Sequence, residues 1–158
     1  MYNVGDRISH PMHGAGVIVD IVDRCVDNRP QPFYLVNMLF GSMTVLIPCN
    51  ICDSIGVRNV ITAEDARKII DAIPELCIEF NDNWSKRYRE NIDKIKSGDL
   101  YIVAGVIKTL VLRDKIRTLS TGERKLLNTA KGILASEIAM ATNITIQQAE
   151  RLIISSIL

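Results

Sequence analysis

The stretch from Asn83 to Asp99, NWSKRYRENIDKIKSGD, predicts a basic amphipathic helix around which the rest of the chain is arranged. Asn83 is a residue type that often caps the first turn of a helix, and Gly98 is a type that often follows the last turn. Four apolar side chains recur at helical spacing and would share one side: Trp84, Tyr88, Ile92 and Ile95. Trp84 is therefore either one more core aromatic or a side chain that projects from the first turn to meet a ligand.

Basic charge is concentrated in this part of the chain. The net charge of the whole chain is only +1. Residues 84–131 hold twelve Lys and Arg against five Asp and Glu, about +7, whereas residues 1–60 hold four Arg against five Asp, about −1. A local basic surface indicates contact with nucleic acid, whereas a single run of charge more often covers an ordinary solvated face.

A second basic face is predicted on a later helix. The apolar positions of that helix form a core stripe made of Leu126, Leu127, Ala130, Ile133, Leu134 and Ile138. Arg124, Asn128 and Lys131 recur at spacings of four and three and share the exposed face, beside Lys125. Two basic helix faces would then flank one groove, with Trp84 between them.

Length and composition indicate a folded chain. Its 158 residues allow one medium domain or two small ones, and 47% of them are hydrophobic against 23% charged. The apolar segments are too short or too interrupted to cross a bilayer, and the first ten residues do not resemble a secretion signal. The sequence therefore predicts a cytoplasmic protein without a membrane span.

The first third of the chain favours strands. Four are predicted, at Arg7–His10, Gly16–Val22, Phe33–Phe40 and Met43–Pro48. Gly41 and Ser42 give a two-residue hairpin signal, and the prolines and glycines of residues 11–16 and 27–32 indicate turns. Short strands at this spacing predict a small, strongly bent antiparallel barrel over residues 1–54.

The remainder reads as helix, so the predicted fold class is α+β with a barrel followed by a five-helix bundle. Residues 55–61 are expected to link the two, and residues 62–158 to form the bundle. Thr62 and Asp99 are expected to cap the first and third helices, with Pro74 ending the first. Two capping boxes, Ser120 with Glu123 and Thr145 with Gln148, predict the starts of the fourth and fifth helices.

Sequence signals for catalysis or cofactor binding are weak. The chain has no phosphate-binding loop motif, and Gly14-Ala15-Gly16 lacks the third glycine of a dinucleotide site. Cys49 and Cys52 form a C-x-x-C pair without a second pair, which favours reduced thiols over zinc. We therefore expect a protein that is not an enzyme and that carries no cofactor or metal.

In combination, these motifs resemble the CarD/CdnL family of bacterial transcription regulators over nearly the whole chain. The motifs that carry the resemblance are Val4-Gly5-Asp6, residues 11–16 (PMHGAG), Tyr34-Leu35-Val36, residues 44–48 (TVLIP), Gly56-Val57-Arg58, residues 83–88 (NWSKRY), Ser97-Gly98-Asp99 and residues 119–123 (LSTGE). Each motif alone is weak evidence, whereas their order and spacing together are specific.

The resemblance implies that the barrel is Tudor-like and binds the β subunit of RNA polymerase by pairing along a sheet edge. The matching edge is Met43–Pro48, which places Thr44 in the contact. Arg24 falls where relatives carry a contact arginine. Leu46 stands where some relatives have a second one, so the polymerase contact is expected to be less ionic here.

The resemblance also implies that the helical domain binds promoter DNA, largely without sequence preference. Trp84 matches a tryptophan that wedges into the minor groove at the upstream edge of the melted promoter bubble. The residues expected to hold phosphates are Lys86, Arg87, Arg89, Arg124, Lys125 and Lys131.

The resulting hypothesis is a monomeric, non-enzymatic regulator that stabilises the open promoter complex and associates with the nucleoid through polymerase. One alternative is a sequence-specific repressor, because Ile133–Leu158 can be drawn as a helix-turn-helix. Its second helix has Arg151 as its only basic residue, which disfavours that alternative. A third class is a barrel that binds a peptide of some other partner.

Overall fold

The computed structural model describes residues 1–158 as a five-stranded antiparallel sheet followed by helices. The strands are β1 (Arg7–His10), β2 (Gly14–Val26), β3 (Arg29–Met38), β4 (Thr44–Pro48) and β5 (Arg58–Asn59). Their order is β4-β3-β2-β1-β5, so β4 and β5 are the two edges. The four predicted strands are present, and the α+β class is confirmed.

The hairpin of β2 and β3 is longer than predicted. Residues 27–32 were expected to form a turn, but only Asp27 and Asn28 do so, at φ 51° and 63°. Pro30 and Pro32 instead pair with residues of β2. Since Val26 and Arg29 close a two-residue turn, the alternation of an antiparallel ladder places both prolines in non-hydrogen-bonded pairs, where a missing N–H costs little.

The chain has six helices, one more than predicted. The additional one is a single turn, α1 (Cys52–Ile55), which spans the expected boundary between the barrel and the linker. Cys52 is buried in the core of the sheet, and Gly56, at φ 102°, ends the turn by donating its N–H to Asp53. Four residues are too few to show helical periodicity, so the sequence pattern did not reveal it.

Five longer helices follow. They are α2 (Ala63–Ala72), α3 (Trp84–Lys96), α4 (Leu100–Ile116), α5 (Thr121–Thr142) and α6 (Ile146–Ile157). Each predicted cap is confirmed, because the side chains of Thr62, Asn83, Asp99, Ser120 and Thr145 all accept first-turn N–H groups. These helices enclose one apolar core of 21 buried residues, separate from an eight-residue core in the sheet. No helix is both long and apolar enough to cross a membrane.

The helices pack directly on the sheet through α5. The Ser136 hydroxyl accepts the N–H of Ala15 at 3.0 Å and donates to the Ile133 carbonyl at 2.9 Å. Gly14, at φ +78°, allows this approach, because a Cβ there would clash with the Ser136 hydroxyl oxygen. The sheet therefore meets α5 at backbone distance.

A buried carboxylate joins three segments at this contact. Glu137 on α5 is 0% exposed. It accepts the Ser9 hydroxyl at 2.7 Å, both terminal nitrogens of Arg58, and the N–H of Ile61 at 3.0 Å. β1, β5 and the connector to α2 are thus fixed to one residue of the longest helix. We call this set the Glu137 cluster.

Candidate nucleic-acid interface

Trp84 occupies the first turn of α3 and is held in place while remaining exposed. Its indole N–H donates to the Ser120 hydroxyl at 3.1 Å, and its ring stacks on Tyr88 with centroids 5.1 Å apart and planes 11° from parallel. The residue is 44% exposed, whereas Ile95, on the same side of the helix, is 1% exposed. The apolar stripe therefore runs from the core to the surface and ends in an accessible, ordered indole.

Arg87 does not lie where the sequence interpretation placed it. It was expected to contact phosphates, yet it is 7% exposed and its guanidinium is fully engaged. Two nitrogens donate to the Glu123 carboxylate at 2.8 and 3.0 Å, and the third donates to the Asn81 carbonyl at 2.6 Å. These contacts raise the pKa of Arg87, chiefly through the hydrogen bond to Glu123. Arg87 is a structural residue and is removed from the candidate interface.

The same pair corrects the capping box expected at Ser120. The Ser120 hydroxyl does accept the N–H of Glu123, at 3.2 Å. The Glu123 carboxylate, however, bonds Arg87 and does not return to the Ser120 N–H. The first turns of α3 and α5 are therefore joined twice, by the buried ion pair and by the bond between Trp84 and Ser120.

The other predicted phosphate contacts differ in accessibility. Lys86, Arg89 and Lys125 are exposed, and Lys131 is half-buried. The Arg124 guanidinium donates to Asp114 at 2.9 Å and keeps 47% of its side chain exposed. All of these residues lie on α3 and α5, the two helices that the Trp84–Ser120 contact joins, and their contact with DNA remains a prediction.

One more basic residue of this region is structural. Lys108 on α4 is buried, and its ammonium donates to the carbonyls of Ile73, Pro74 and Leu76, each at 2.9 Å. It satisfies acceptors left open at the end of α2. Of the twelve basic residues between 84 and 131, Arg87 and Lys108 are therefore inaccessible.

The predicted polymerase contacts lie on the sheet. Thr44 and Leu46 are exposed on the edge strand β4, and Arg24 is exposed near the end of β2. Since Met38 donates to the Met43 carbonyl, ladder alternation directs the N–H and C=O groups of Thr44 and Leu46 away from β3. This edge is free to pair with another strand.

Sequence reasoning missed the residues that position Trp84. Ser120 was read only as a helix cap, and Tyr88 only as a core residue. The contact joins positions 36 apart in sequence, so no local spacing could have revealed it. The only local signal was Asn83, whose cap places Trp84 at the first helical position.

The two cysteines of the C-x-x-C pair lack the features of a reactive site. Burial raises the pKa of both Cys49 and Cys52, so both favour the neutral thiol at neutral pH. No group of three or more His, Cys, Asp or Glu side chains is arranged to hold a metal ion.

A broad groove of about 970 Å³ lies on another side of α3, against α4 and residues 76–82. Its floor includes Asn91, whose side-chain nitrogen is buried without a hydrogen-bond partner. The groove wall carries both signs of charge, including Lys86 and Glu90. It has no basic excess, because its lining includes three basic and three acidic side chains.

The alternative helix-turn-helix at residues 133–158 corresponds to the end of α5, a turn with Asn143 in the left-handed conformation, and α6. The second helix buries Ala149 and Ile153 and exposes Arg151 and Leu152. With one basic residue next to Glu150, it offers no basic face for a major groove.

Comparison with known proteins gives matches over nearly the whole chain. Residues 2–61 match the family described as the CarD-like/TRCF RID domain, and residues 68–154 match the CarD C-terminal domain. A protein of Bacillus subtilis (strain 168), YdeB, is 32% identical over 148 residues, which cover 94% of this chain and 97% of that protein. Its name describes it as a candidate transcription factor.

Proposed function

The chain belongs to the CarD family of transcription regulators, and from this premise we propose that it binds the β subunit of RNA polymerase and stabilises the open promoter complex. Trp84 inserts at the upstream edge of the melted bubble. The main support for the proposal is that the Trp84 side chain is 44% exposed and yet held in one orientation by Ser120 and Tyr88. The role requires no catalysis.

An indole at this position suits a DNA junction. Insertion of an apolar ring beside a base step costs a few kcal/mol of unstacking in intact duplex, and less where the duplex is already open. Stacking on Tyr88 and the bond to Ser120 fix the orientation of Trp84 before DNA arrives, so little side-chain entropy is lost on insertion. The interaction favours the open complex over the closed one.

Basic residues around Trp84 supply affinity without sequence preference. Lys86 and Arg89 on α3, and Arg124, Lys125 and Lys131 on α5, contact phosphates. Because these contacts are few and partly occupied, as Arg124 is by Asp114, they are weak on their own. Effective binding therefore requires a second attachment.

The second attachment is the sheet. Residues 1–54 and 62–158 act as two functional domains, and residues 55–61, which connect them, also supply the edge strand β5 to the sheet. The exposed edge of β4 extends a sheet of the polymerase β subunit, with Thr44 and Leu46 offering free backbone groups. Arg24 adds one charged contact. Attachment to polymerase raises the local concentration of the DNA-binding surface at promoters.

The test is the lifetime of open complexes formed with variant chains. Trp84→Ala should shorten the lifetime in a competitor-challenge assay on a linear promoter, and Trp84→Phe should retain part of the effect. Pull-down with the polymerase β subunit should be unchanged for both variants and reduced by Arg24→Glu. Unchanged open-complex lifetimes with Trp84→Ala would refute the proposed role of the indole.

A further inference from the structure

We propose that the segment Arg113–Thr118, at the end of α4 and the start of the following loop, is a second DNA-contacting element. Ile116 lies against the apolar sugar edge of the duplex beside the junction, and Lys115 and Arg117 contact its phosphates. This inference rests on the proposed function, and it extends the interface beyond α3 and α5.

Ile116 has an unusual environment for its helix. It is 76% exposed, more than Trp84, whereas Ile107 and Leu110 on the same helix are 0% exposed. A single exposed aliphatic residue is common on protein surfaces and by itself shows nothing. What matters is that Ile116 lies between two exposed basic residues, Lys115 and Arg117.

The unpaired charges of the segment are positive and favour a negatively charged partner such as DNA. The side chains of Arg113, Lys115 and Arg117 form no ion pair within the chain. The only acidic residue of the segment, Asp114, is already engaged, since it accepts the N–H of Leu119 at 3.1 Å and the guanidinium of Arg124 at 2.9 Å. The free charges are therefore all positive, which favours phosphates over a protein surface of mixed charge.

The segment is also held at a fixed place relative to Trp84. The bond from Leu119 to Asp114 closes the loop, and the N–H of this bond is the main reason that the pKa of Asp114 is lowered. Four residues on from Ile116 comes Ser120, whose hydroxyl accepts the indole N–H. Four residues span at most about 14 Å.

Both apolar side chains can therefore reach one duplex. The backbone path from Ile116 to Ser120, which holds the indole, is at most about 14 Å, or about four base-pair steps of 3.4 Å. An element placed in this way would contact double-stranded DNA next to the melted edge.

The experiment measures binding of the full chain to the polymerase–promoter complex as a function of salt. The variant Lys115→Ala/Arg117→Ala should lower the slope of log affinity against log salt by about 2, since each phosphate contact contributes about 0.9. Ile116→Ser should weaken binding about threefold to tenfold with little change of slope. Arg151→Ala, which removes an exposed basic residue of α6, is the matched control and should change neither quantity.

Trp84→Ala in the same assay separates the two proposals. If it shortens open-complex lifetime while the segment variants match wild type, the further inference is wrong and the proposed function stands. If the segment variants weaken binding to polymerase without DNA, the segment contacts protein and the inference is also wrong. Loss of affinity confined to DNA-containing complexes, with unchanged thermal stability, supports it.

Discussion

Arg87 and Arg89 lie two positions apart on α3 and have opposite environments. Arg87 is buried against Glu123, and Arg89 is exposed without an ion pair. The sequence could not separate them, because both fall in one basic run and the acidic partner of Arg87 is 36 positions away. Whether a basic residue is accessible to a ligand thus depends on a contact that local sequence does not encode.

This difference predicts opposite effects of substitution. Arg87→Ala should lower the free energy of unfolding by about 3–5 kcal/mol, because it leaves the buried Glu123 carboxylate unpaired. Arg89→Ala should change that free energy by less than about 0.5 kcal/mol. It should weaken DNA binding and lower the slope of log affinity against log salt concentration by about 1. Urea unfolding followed by the emission of Trp84, together with DNA titrations, measures both.

A double variant gives the control for Arg87. Replacing both partners, as Arg87→Leu/Glu123→Leu, should recover most of the lost stability, since no unpaired charge remains. If Arg87→Ala were as stable as wild type and bound DNA less tightly, Arg87 would be a phosphate contact after all.

His10 gives a prediction on pH. Burial, with a smaller contribution from the nearby His13, lowers the pKa of His10 to about 4 from 6.5. Its Nδ1 accepts the N–H of Met12 at 3.0 Å, which requires the neutral ring. Because the unfolded chain takes up this proton first, the stabilisation is complete above about pH 6.5 and is lost as the pH falls towards 4.

The measurement is the unfolding free energy at pH 6.5 and pH 4. His10 should account for a loss of about 1–2 kcal/mol, a range reduced from the full shift because the ring is only half-buried. His10→Gln should show a correspondingly smaller decrease between the two pH values. Equal decreases in the variant and wild type would show that His10 does not titrate in this way.

Helix ends were the elements most open to prediction. Asn83, Asp99 and Thr145 act within three residues of their own position, so the sequence contains both partners of each bond. The expected box at Ser120 was half wrong because Glu123 has a stronger partner in Arg87. Local sequence therefore predicts where a helix begins or ends, except where a residue of the cap forms an ion pair with a residue distant in sequence.

Tertiary approach of two elements was not predictable, and the contact of α5 with the start of β2 shows why. Gly14 was read as a turn residue; the structure places it at the first position of β2, directly after the turn, with φ +78°. Its second role, to admit Ser136 at backbone distance, depends on a residue more than 120 positions away. The sequence therefore indicated the backbone conformation of Gly14, but not the close approach of α5 that Gly14 also allows.

The two requirements can be measured separately. Gly14→Ala should lower the free energy of unfolding by about 1–2 kcal/mol, because alanine disfavours the left-handed backbone conformation. The clash of its methyl group with Ser136 should lower it by about 1–3 kcal/mol more. Gly5→Ala is the matched control, because Gly5 has φ +93° and open space around its Cα. Chemical denaturation should show the larger loss for Gly14→Ala, and equal losses would mean that α5 shifts to accommodate the new methyl group.

At the scale of the whole molecule, fold class and the order of the two parts followed from periodicity and turn signals. Their relative placement did not, since the residues that determine it, Ser9, Arg58 and Glu137, are separated by long stretches of sequence and carry no shared spacing. The one available hint was the position of Glu137, four and three residues after the core positions Ile133 and Leu134, because a glutamate on the buried side of a helix is rarely left unpaired.

The Glu137 cluster should couple unfolding of the two parts. Glu137→Ala should lower stability by about 2–4 kcal/mol, because it leaves the Ser9 hydroxyl, the Arg58 guanidinium and the Ile61 N–H without their acceptor. Native-state hydrogen exchange should then show amides of the sheet opening before those of the helices, whereas in wild type the slowest amides of both open together.

Glu90→Ala serves as the control for this prediction, because Glu90 is an exposed glutamate on α3 without an ion pair. It should leave both the stability and the order of exchange unchanged. Protection of the sheet that survived Glu137→Ala intact would show that apolar contacts with α5 suffice to couple the two parts.

The Glu137 cluster also limits how such proteins can be recombined. A chimera that joins the sheet of one relative to the helices of another keeps Ser9 and Arg58 from one parent and the residue at position 137 from the other. Unless that residue is an acceptor of the same reach, the hybrid leaves the buried Ser9 hydroxyl without its partner and Arg58, whose side chain is 37% exposed, without its carboxylate. The sheet and the helices of two relatives are therefore interchangeable only when the residues at positions 9, 58 and 137 are compatible.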